Sequence, residues 1–361
     1  MSSIKRTTSL KVLCAAVAVM MAGGALADDP LKIGFVYVSP IGDAGWTYQH
    51  EQGRQAMQEA LGAKVESKYI EDVPEGGESE RVIRQFAADG YGLVFTTSFG
   101  YMNPTIKVAK RFPKVAFEHA TGYKSAKNVG TYVARFYEGR YLAGIVAGGM
   151  TETNVAGYVA AFPIPEVVRG INAFTKGMRS VNPEAEVKVI WTSSWFDPGR
   201  ESEAADVLIA QGADVVTHHT DSTAVVQAAQ EKGVWAVGYH SDMSSYGPKA
   251  QLTAVRHHWG DFYTKTAQQM LDGTWKSENV WGGIKEGMID IAPLNEAVPE
   301  DLVKQVAAAE AGIRDGTLHP FQGPVKNQAG EIVIAEGEVM TDEQLAKMEY
   351  YVEGVQGNLP D

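Results

Sequence analysis

Cysteine is almost absent. A single one, Cys14, occurs in 361 residues, so no intramolecular disulfide can form and no thiol cluster can hold a metal. Long apolar runs are equally scarce. The one near the N-terminus, "VLCAAVAVMMA", is shorter than the roughly 20 residues that span a bilayer, and nothing later approaches that length. Cations are under-represented: 32 Lys and Arg stand against 44 Asp and Glu, a formal net charge of −12. That argues against nucleic acid or an anionic membrane surface as partner. Common catalytic and nucleotide motifs are missing too. No G-x-G-x-x-G follows a strand, and there is no P-loop, G-x-S-x-G elbow or H-E-x-x-H. These absences favour binding over turnover, and an enzyme is not expected.

What is present begins with a leader. Lys5, Arg6 and Lys11 precede the apolar run and "ALA" precedes Asp28, which reads as a signal peptide over residues 1–27. The expected location is the periplasm. A lipid anchor on Cys14 is not expected, because Leu13 before it is the wrong size for a lipobox and most of the apolar run follows it. Removal of these 27 residues leaves 334 and takes away three cations and no anion, so the net charge moves from −12 to −15.

The body alternates short apolar runs with helical patterns. Strands are expected at 31–38, 64–70, 92–97, 114–118, 128–133, 155–161, 186–191, 214–219, 234–239 and 251–256. Helices are expected between them at 47–61, 79–89, 138–150, 166–180, 200–211, 222–232 and 259–272. This alternation predicts βαβ units and parallel sheets. Ten parallel strands divide most naturally between two α/β lobes. In "FDPGRESEAA" Asp197 is the expected N-cap with Pro198 at the first helical position, and in "TDSTAVVQAA" Thr220 or Asp221 caps the next helix.

Aromatic residues gather where strands end, which is where open α/β sheets place their ligands. Trp46, in "GDAGWTYQHEQGR", follows the first strand, and "SSWFDPGR" sets Trp195 and Phe196 after the seventh. Two rings facing each other across a cleft suit a flat ligand, each contributing roughly 1–3 kcal/mol by stacking.

"DAGW…GR", "EGRYLAGIVAG", "WFDPGRE", "LNEAVPEDLVKQVAAAEAGIRDGTLHPFQGPV" and the closing "YYVEGVQGNLP" together resemble the basic membrane protein family. These are substrate-binding proteins of ABC importers, related to the purine nucleoside receptor. The resemblance covers nearly all the chain after the leader and implies a type I periplasmic-binding-protein fold with three crossovers. The lobes would be 28–133 with 257–285, and 134–256 with 286–361. It implies stacking aromatics at Trp46 and at Trp195, or alternatively Phe196, with Asp43 at the family's first acidic position. Nucleoside receptors hold ribose with an Asp and a Lys. Here His240, in "YHSD" with Asp242, and His257, in "LTAVRHHW", stand in those places. Their substitution points to a free purine base such as adenine, hypoxanthine or guanine. Asn172 is the candidate for a base-edge contact, a capping or solvated role being the alternative.

A nucleoside, a riboflavin-like heterocycle or a sugar remain alternative ligands, with Arg135, Arg140 and Arg169 as candidate sugar contacts or as solvated helix charges. The adjacent pairs His218–His219 and His257–His258 point to opposite faces of a strand and predict no metal site. The run His240-Ser241-Asp242 has the members of a triad without the convergence one needs. No cofactor is expected. The partners would be the ligand and a membrane permease, with the receptor itself a monomer.

Overall fold

Apolar strands assemble into two large sheets and one small two-stranded sheet, with amphipathic helices packed against them. The computed structural model describes residues 29–360; the leader expected over 1–27, with Cys14, lies outside the described residues. The first stretch runs β1 (Leu31–Val36), α1 (Trp46–Leu61), β2 (Val65–Ile70), α2 (Gly77–Ala88), β3 (Leu93–Thr96), α3 (Met102–Ala109), β4 (Ala116–Ala120) and β5 (Val129–Ala134). It continues with α4 (Phe136–Met150), β6 (Val155–Ala160), α5 (Pro165–Val181), β7 (Glu186–Trp191), α6 (Pro198–Ala210), β8 (Val215–His219), α7 (Ala224–Lys232), β9 (Trp235–His240) and β10 (Gln251–His257). Then follow α8 (Gly260–Leu271), β11 (Asn279–Gly282), β12 (Ile289–Ile291), α9 (Glu300–Asp315), β13 (Val325–Lys326), β14 (Ile332–Ile334), α10 (Asp342–Ala346) and β15 (Val355–Gln356).

One sheet has the order β11-β5-β4-β3-β1-β2 and is parallel throughout. The other has the order β12-β10-β9-β8-β6-β7-β15, parallel except where β12 pairs with β10. The chain therefore crosses between sheets after β5, after β10, where α8 packs on α1, and between β11 and β12. Interior strands such as β3 and β4 are buried along their whole length, as parallel strands covered on both faces must be. The two-lobed α/β expectation holds, with most element ends within two residues of the expected ones.

The motif "EGRYLAGIVAG" lies on α4 and is a packing device. A Cβ at Gly144 would strike the Phe174 carbonyl on α5, and one at Gly177 would strike the Tyr141 carbonyl on α4. Glycine lets the two backbones approach to a distance no side chain permits. Asp197 does cap α6, its side chain accepting from the Arg200 N–H at 3.1 Å. By contrast, α7 starts at Ala224 with Thr223 as N-cap and no side-chain capping bond. Neither Thr220 nor Asp221 caps it.

Helices α3, α9 and α10 and strands β11 to β15 were not expected. α3 contains Asn103 and Pro104, which read as a breaker, yet Pro104 sits in the first turn, where a missing N–H costs nothing. β11 and β12 are short and lean on existing sheet edges, so their pattern is too brief to read.

Candidate functional site

The strand ends of both sheets face a common cleft, and a small cavity of about 30 Å³ lies between them. From the first lobe it is lined by Val38 after β1, Trp46 at the start of α1, Ser98 and Phe99 after β3, and Thr121 after β4. From the second come Ile164 and Glu166 at the start of α5, Trp195 after β7, His219 with Thr220 and Asp221 at the end of β8, and His240 at the end of β9. Thr121 and His240 hold φ of 61° and 70°, left-handed backbone that costs a non-glycine residue of order 1–3 kcal/mol and clusters at functional sites.

Trp46 and Trp195 thus reach one cavity from opposite lobes. Trp46 is 9% exposed, and its indole N–H donates to the Thr97 carbonyl at 2.6 Å. Five rings surround it (His50, Phe136, His240, His257 and Trp259), all at interplanar angles of 69–86°. Trp195 lies tilted by 58° against Phe162 and by 50° against His219. Among the described residues no ring lies stacked in parallel on either indole.

The lobes are joined across the cleft by polar bridges. The Asp221 carboxylate, on the second lobe, accepts from the Trp46 N–H and the Ser39 hydroxyl of the first, with the Thr47 N–H at 3.4 Å. The N-cap of α1 is Gly45, which has no side chain to satisfy the helix's first N–H groups; Asp221 does so from the other lobe. The Gly45 N–H donates to Ser241 Oγ at 2.7 Å, and the Trp195 indole N–H donates to Glu75 Oε1 at 3.1 Å. Burial pushes the Asp221 carboxyl up to about 7, against the bonds from Ser39, Trp46 and Thr47.

Not every expected residue is at the cavity. Asn172 is fully buried elsewhere: its amide donates to the Tyr350 carbonyl at 2.7 Å and accepts from the Val352 N–H at 3.0 Å. It holds the C-terminal segment on α5 and has no base-edge role open to it. Phe196 points outward, 38% exposed, which leaves Trp195 as the cavity-lining member of that pair. Asp43 is exposed at the rim and accepts from Tyr246 OH at 3.4 Å. Asp242 is exposed and accepts from Gln251 Nε2 at 2.8 Å, outside the cavity. His240 lines the cavity, whereas His257 sits fully buried behind it, 5.0 Å from His240 between ring centroids. The three arginines are not solvated: Arg140 is buried against Tyr239 and bonded to Thr217 and the His218 carbonyl, Arg169 donates to the Leu345 carbonyl, and Arg135 pairs with Asp342. None lines the cavity.

Glu166, Asp221, His219, Ser98, Phe99 and Thr121 are not among the expected site residues, Asp221 reading as a helix cap and His219 as one of a histidine pair. Their common signal is position, each at a strand's carboxyl end or within the loop or first helical turn that follows it.

Six of the eight histidines are buried: His50, His119, His218, His219, His240 and His257. Burial holds each below its ordinary 6.5, so the folded protein keeps them neutral. Burial also raises Asp221, Glu166 and Glu138 to about 7 and Glu118 to about 8. The raised carboxyls stabilise the fold at low pH and lose that contribution as pH climbs through 7–8. The depressed histidines contribute above 6.5 and lose it as pH falls. The two sets oppose each other between 6.5 and 4.5, the ordinary values for His and Glu. Below 4.5 the histidines act in the same direction as the carboxyls that partners hold low, such as Asp290 and Asp342, at roughly 1.4 kcal/mol per pH unit for each uncompensated proton. Thermal unfolding followed from pH 3.5 to 9 should show a maximum near 6.5 and a steep fall below 4.5; a midpoint rising steadily to pH 9 would contradict this.

Among the described residues no group of three or more His, Cys, Asp and Glu could hold a metal ion, and no helix is long and apolar enough to cross a membrane. The chain matches the family described as "ABC transporter substrate-binding protein PnrA-like" over residues 31–316. It is 51% identical to a purine-binding protein of Brucella abortus (strain 2308), over 97% of this chain and 99% of that one. It is also 42% identical to a putative ABC transporter glucose-binding protein of Haloferax volcanii, over 94% and 83% of the respective chains. A solute-binding protein of Aeropyrum pernix K1 shares the fold, with a TM-score of 0.70 at 20% identity, over 82% of this chain and 93% of that one. Its members are the ligand-capturing component of ABC transporters, and the chain belongs to this PnrA-like substrate-binding family.

Proposed function

We propose that this chain is the exported receptor of an ABC importer that closes its two lobes on a purine nucleobase and hands it to the permease. The observation that carries this reading is the pair Trp46 and Trp195, which line one cavity from opposite lobes. A flat ring between them would gain roughly 1–3 kcal/mol from each indole, so two faces and a few hydrogen bonds reach the roughly −8 kcal/mol of a micromolar binder. Closure is then what completes the site, and the ligand shifts the open–closed equilibrium by its preference for the closed form.

The polar lining supports a base over a sugar or nucleoside. Among the described residues no Lys or Arg lines the cavity, and by the family resemblance His240, which lines it, and His257, buried behind it, stand where nucleoside receptors place an Asp and a Lys. A site built for hydroxyls would leave buried groups unpaired when no sugar enters. The Brucella relative, at 51% identity, is named for purine binding, which agrees. The leader 1–27 would deliver the mature chain to the periplasm, where it acts as a monomer without cofactor or catalysis.

The test is isothermal titration of the mature protein, stripped of ligand by unfolding and refolding. The panel is adenine, hypoxanthine, guanine, adenosine, inosine, riboflavin, ribose and glucose. At least one free base should bind at micromolar affinity or tighter, with adenosine, riboflavin and both sugars silent. Preferential binding of a nucleoside or of glucose would overturn the nucleobase reading.

A further inference from the structure

Most polar side-chain atoms of the residues that line the cavity already have partners. The Trp46 and Trp195 indoles donate to Thr97 and Glu75, Asp221 is committed to the first lobe, and the Thr220 hydroxyl donates to Glu201 at 2.8 Å. Among the described lining residues three buried side-chain atoms have none: Glu166 Oε2, His219 Nδ1 and His240 Nδ1. His219 Nδ1 turns toward the backbone of α5, where a Cβ at Gly170 would lie 3.7 Å away. Glu166 differs from both histidines in carrying a carboxyl group. Its side chain is only 10% exposed, and its Oε1 lies 3.4 Å from His219 Nε2.

We propose that Glu166, steadied through Oε1 by His219, is the specificity-determining residue of this site, its free Oε2 accepting an N–H from the edge of the bound heterocycle. This rests on the purine reading above and narrows it to bases that present an N–H where they meet Glu166. Burial keeps His219 neutral, so the nitrogen facing Glu166 can carry its hydrogen and donate, leaving Oε2 free. The start of α5 adds the positive end of a helix dipole, which favours the carboxylate. Arg169 and Arg140 pull in the same direction, against the burial that raises this carboxyl to about 7. A ring held between Trp46 and Trp195 presents its edge, not its face, to in-plane acceptors. A base whose edge offers only lone pairs or methyl groups there would leave Oε2 buried and unpaired, the condition under which a site rejects an analogue most strongly.

The experiment is calorimetric titration of the mature protein and of Glu166→Gln with adenine, hypoxanthine and guanine. Each base is paired with derivatives methylated at one ring nitrogen or on the amino group. Glu166→Gln should weaken the preferred base by roughly ten- to hundred-fold, the range for a hydrogen bond to a charged group. One particular methylation should cost the wild type as much, and cost Glu166→Gln little further. Binding within two-fold of wild type by a folded Glu166→Gln overturns the proposal, as does an equal methylation penalty in both proteins for every derivative. If the variant does not fold, the wild-type series decides: parent-like affinity for every methylated base overturns it. If the wild type binds none of the bases, the purine reading itself is wrong and this inference falls with it.

Discussion

Asp221→Ala is expected to weaken ligand binding by about a hundred-fold or more while leaving each lobe folded. In the closed form the carboxylate satisfies the Trp46 N–H and the Ser39 hydroxyl, with the Thr47 N–H close by. Ser39 and Thr47 are buried. Truncation leaves these donors facing a void in the closed form, at about 1–3 kcal/mol for each unpaired group, whereas in the open form water reaches them. The penalty therefore falls on closure. A receptor whose competent state is depopulated loses apparent affinity by the same factor, and about 3 kcal/mol is roughly a hundred-fold. Calorimetry with the wild type's ligand gives the affinity, and small-angle scattering gives the radius of gyration, which should rise for the variant. Gly45→Ala should act in the same direction, because at φ 104° its Cβ would strike the Asp221 carboxylate and carbonyl. Wild-type affinity in Asp221→Ala would show that closure does not depend on this contact.

The two tryptophans should separate into a purely local effect and a mixed one. Trp195 is half-buried and tied to the rest by its bond to Glu75 and contact with Phe162. Trp195→Ala should cost little thermal stability and weaken binding by roughly ten- to hundred-fold through the lost stacking face. Trp46 is buried among five rings, so Trp46→Ala should lose binding and also about 3–5 kcal/mol of stability. Trp46→Phe and Trp195→Phe, which keep a ring, should recover most of the affinity. Unchanged binding in Trp195→Ala would remove the second wall of the sandwich.

The architecture was legible because parallel sheets are patterned by burial: runs such as "GLVFTT" and "VAGYVAA" can only be buried strands when helices flank them. The cavity's aromatic walls were legible for a related reason, since strand ends converge whatever the loop sequence. The polar chemistry was not. Asp221 reads as an N-cap for the helix that follows it, and it does serve a helix N-terminus, but one 175 residues earlier in the chain. Glu166 reads as an ordinary first-turn glutamate; only the structure reveals that it is enclosed beside His219, the last residue of β8. Asn172 is the reverse case. Its amide looked free to read a ligand because the segment it holds lies 178 residues away. Several of the motifs that carry the family resemblance, including "EGRYLAGIVAG" and "YYVEGVQGNLP", turn out to pack α4 on α5 and to anchor the C-terminal segment, so they report ancestry and fold more than ligand.

The strand order carries a consequence for synthesis. β11 completes the first sheet beside β5, yet it follows β10 in the chain, and β15, among the last residues, completes the second beside β7. At about 5–20 residues per second, the first lobe waits roughly seven to thirty seconds between its fifth strand and its sixth. Neither lobe can close its sheet until most of the polypeptide has been made. Nascent chains should therefore remain open to proteases and chaperones and gain protection late, the first sheet once residues beyond 282 have emerged and the second only once residues beyond 356 have.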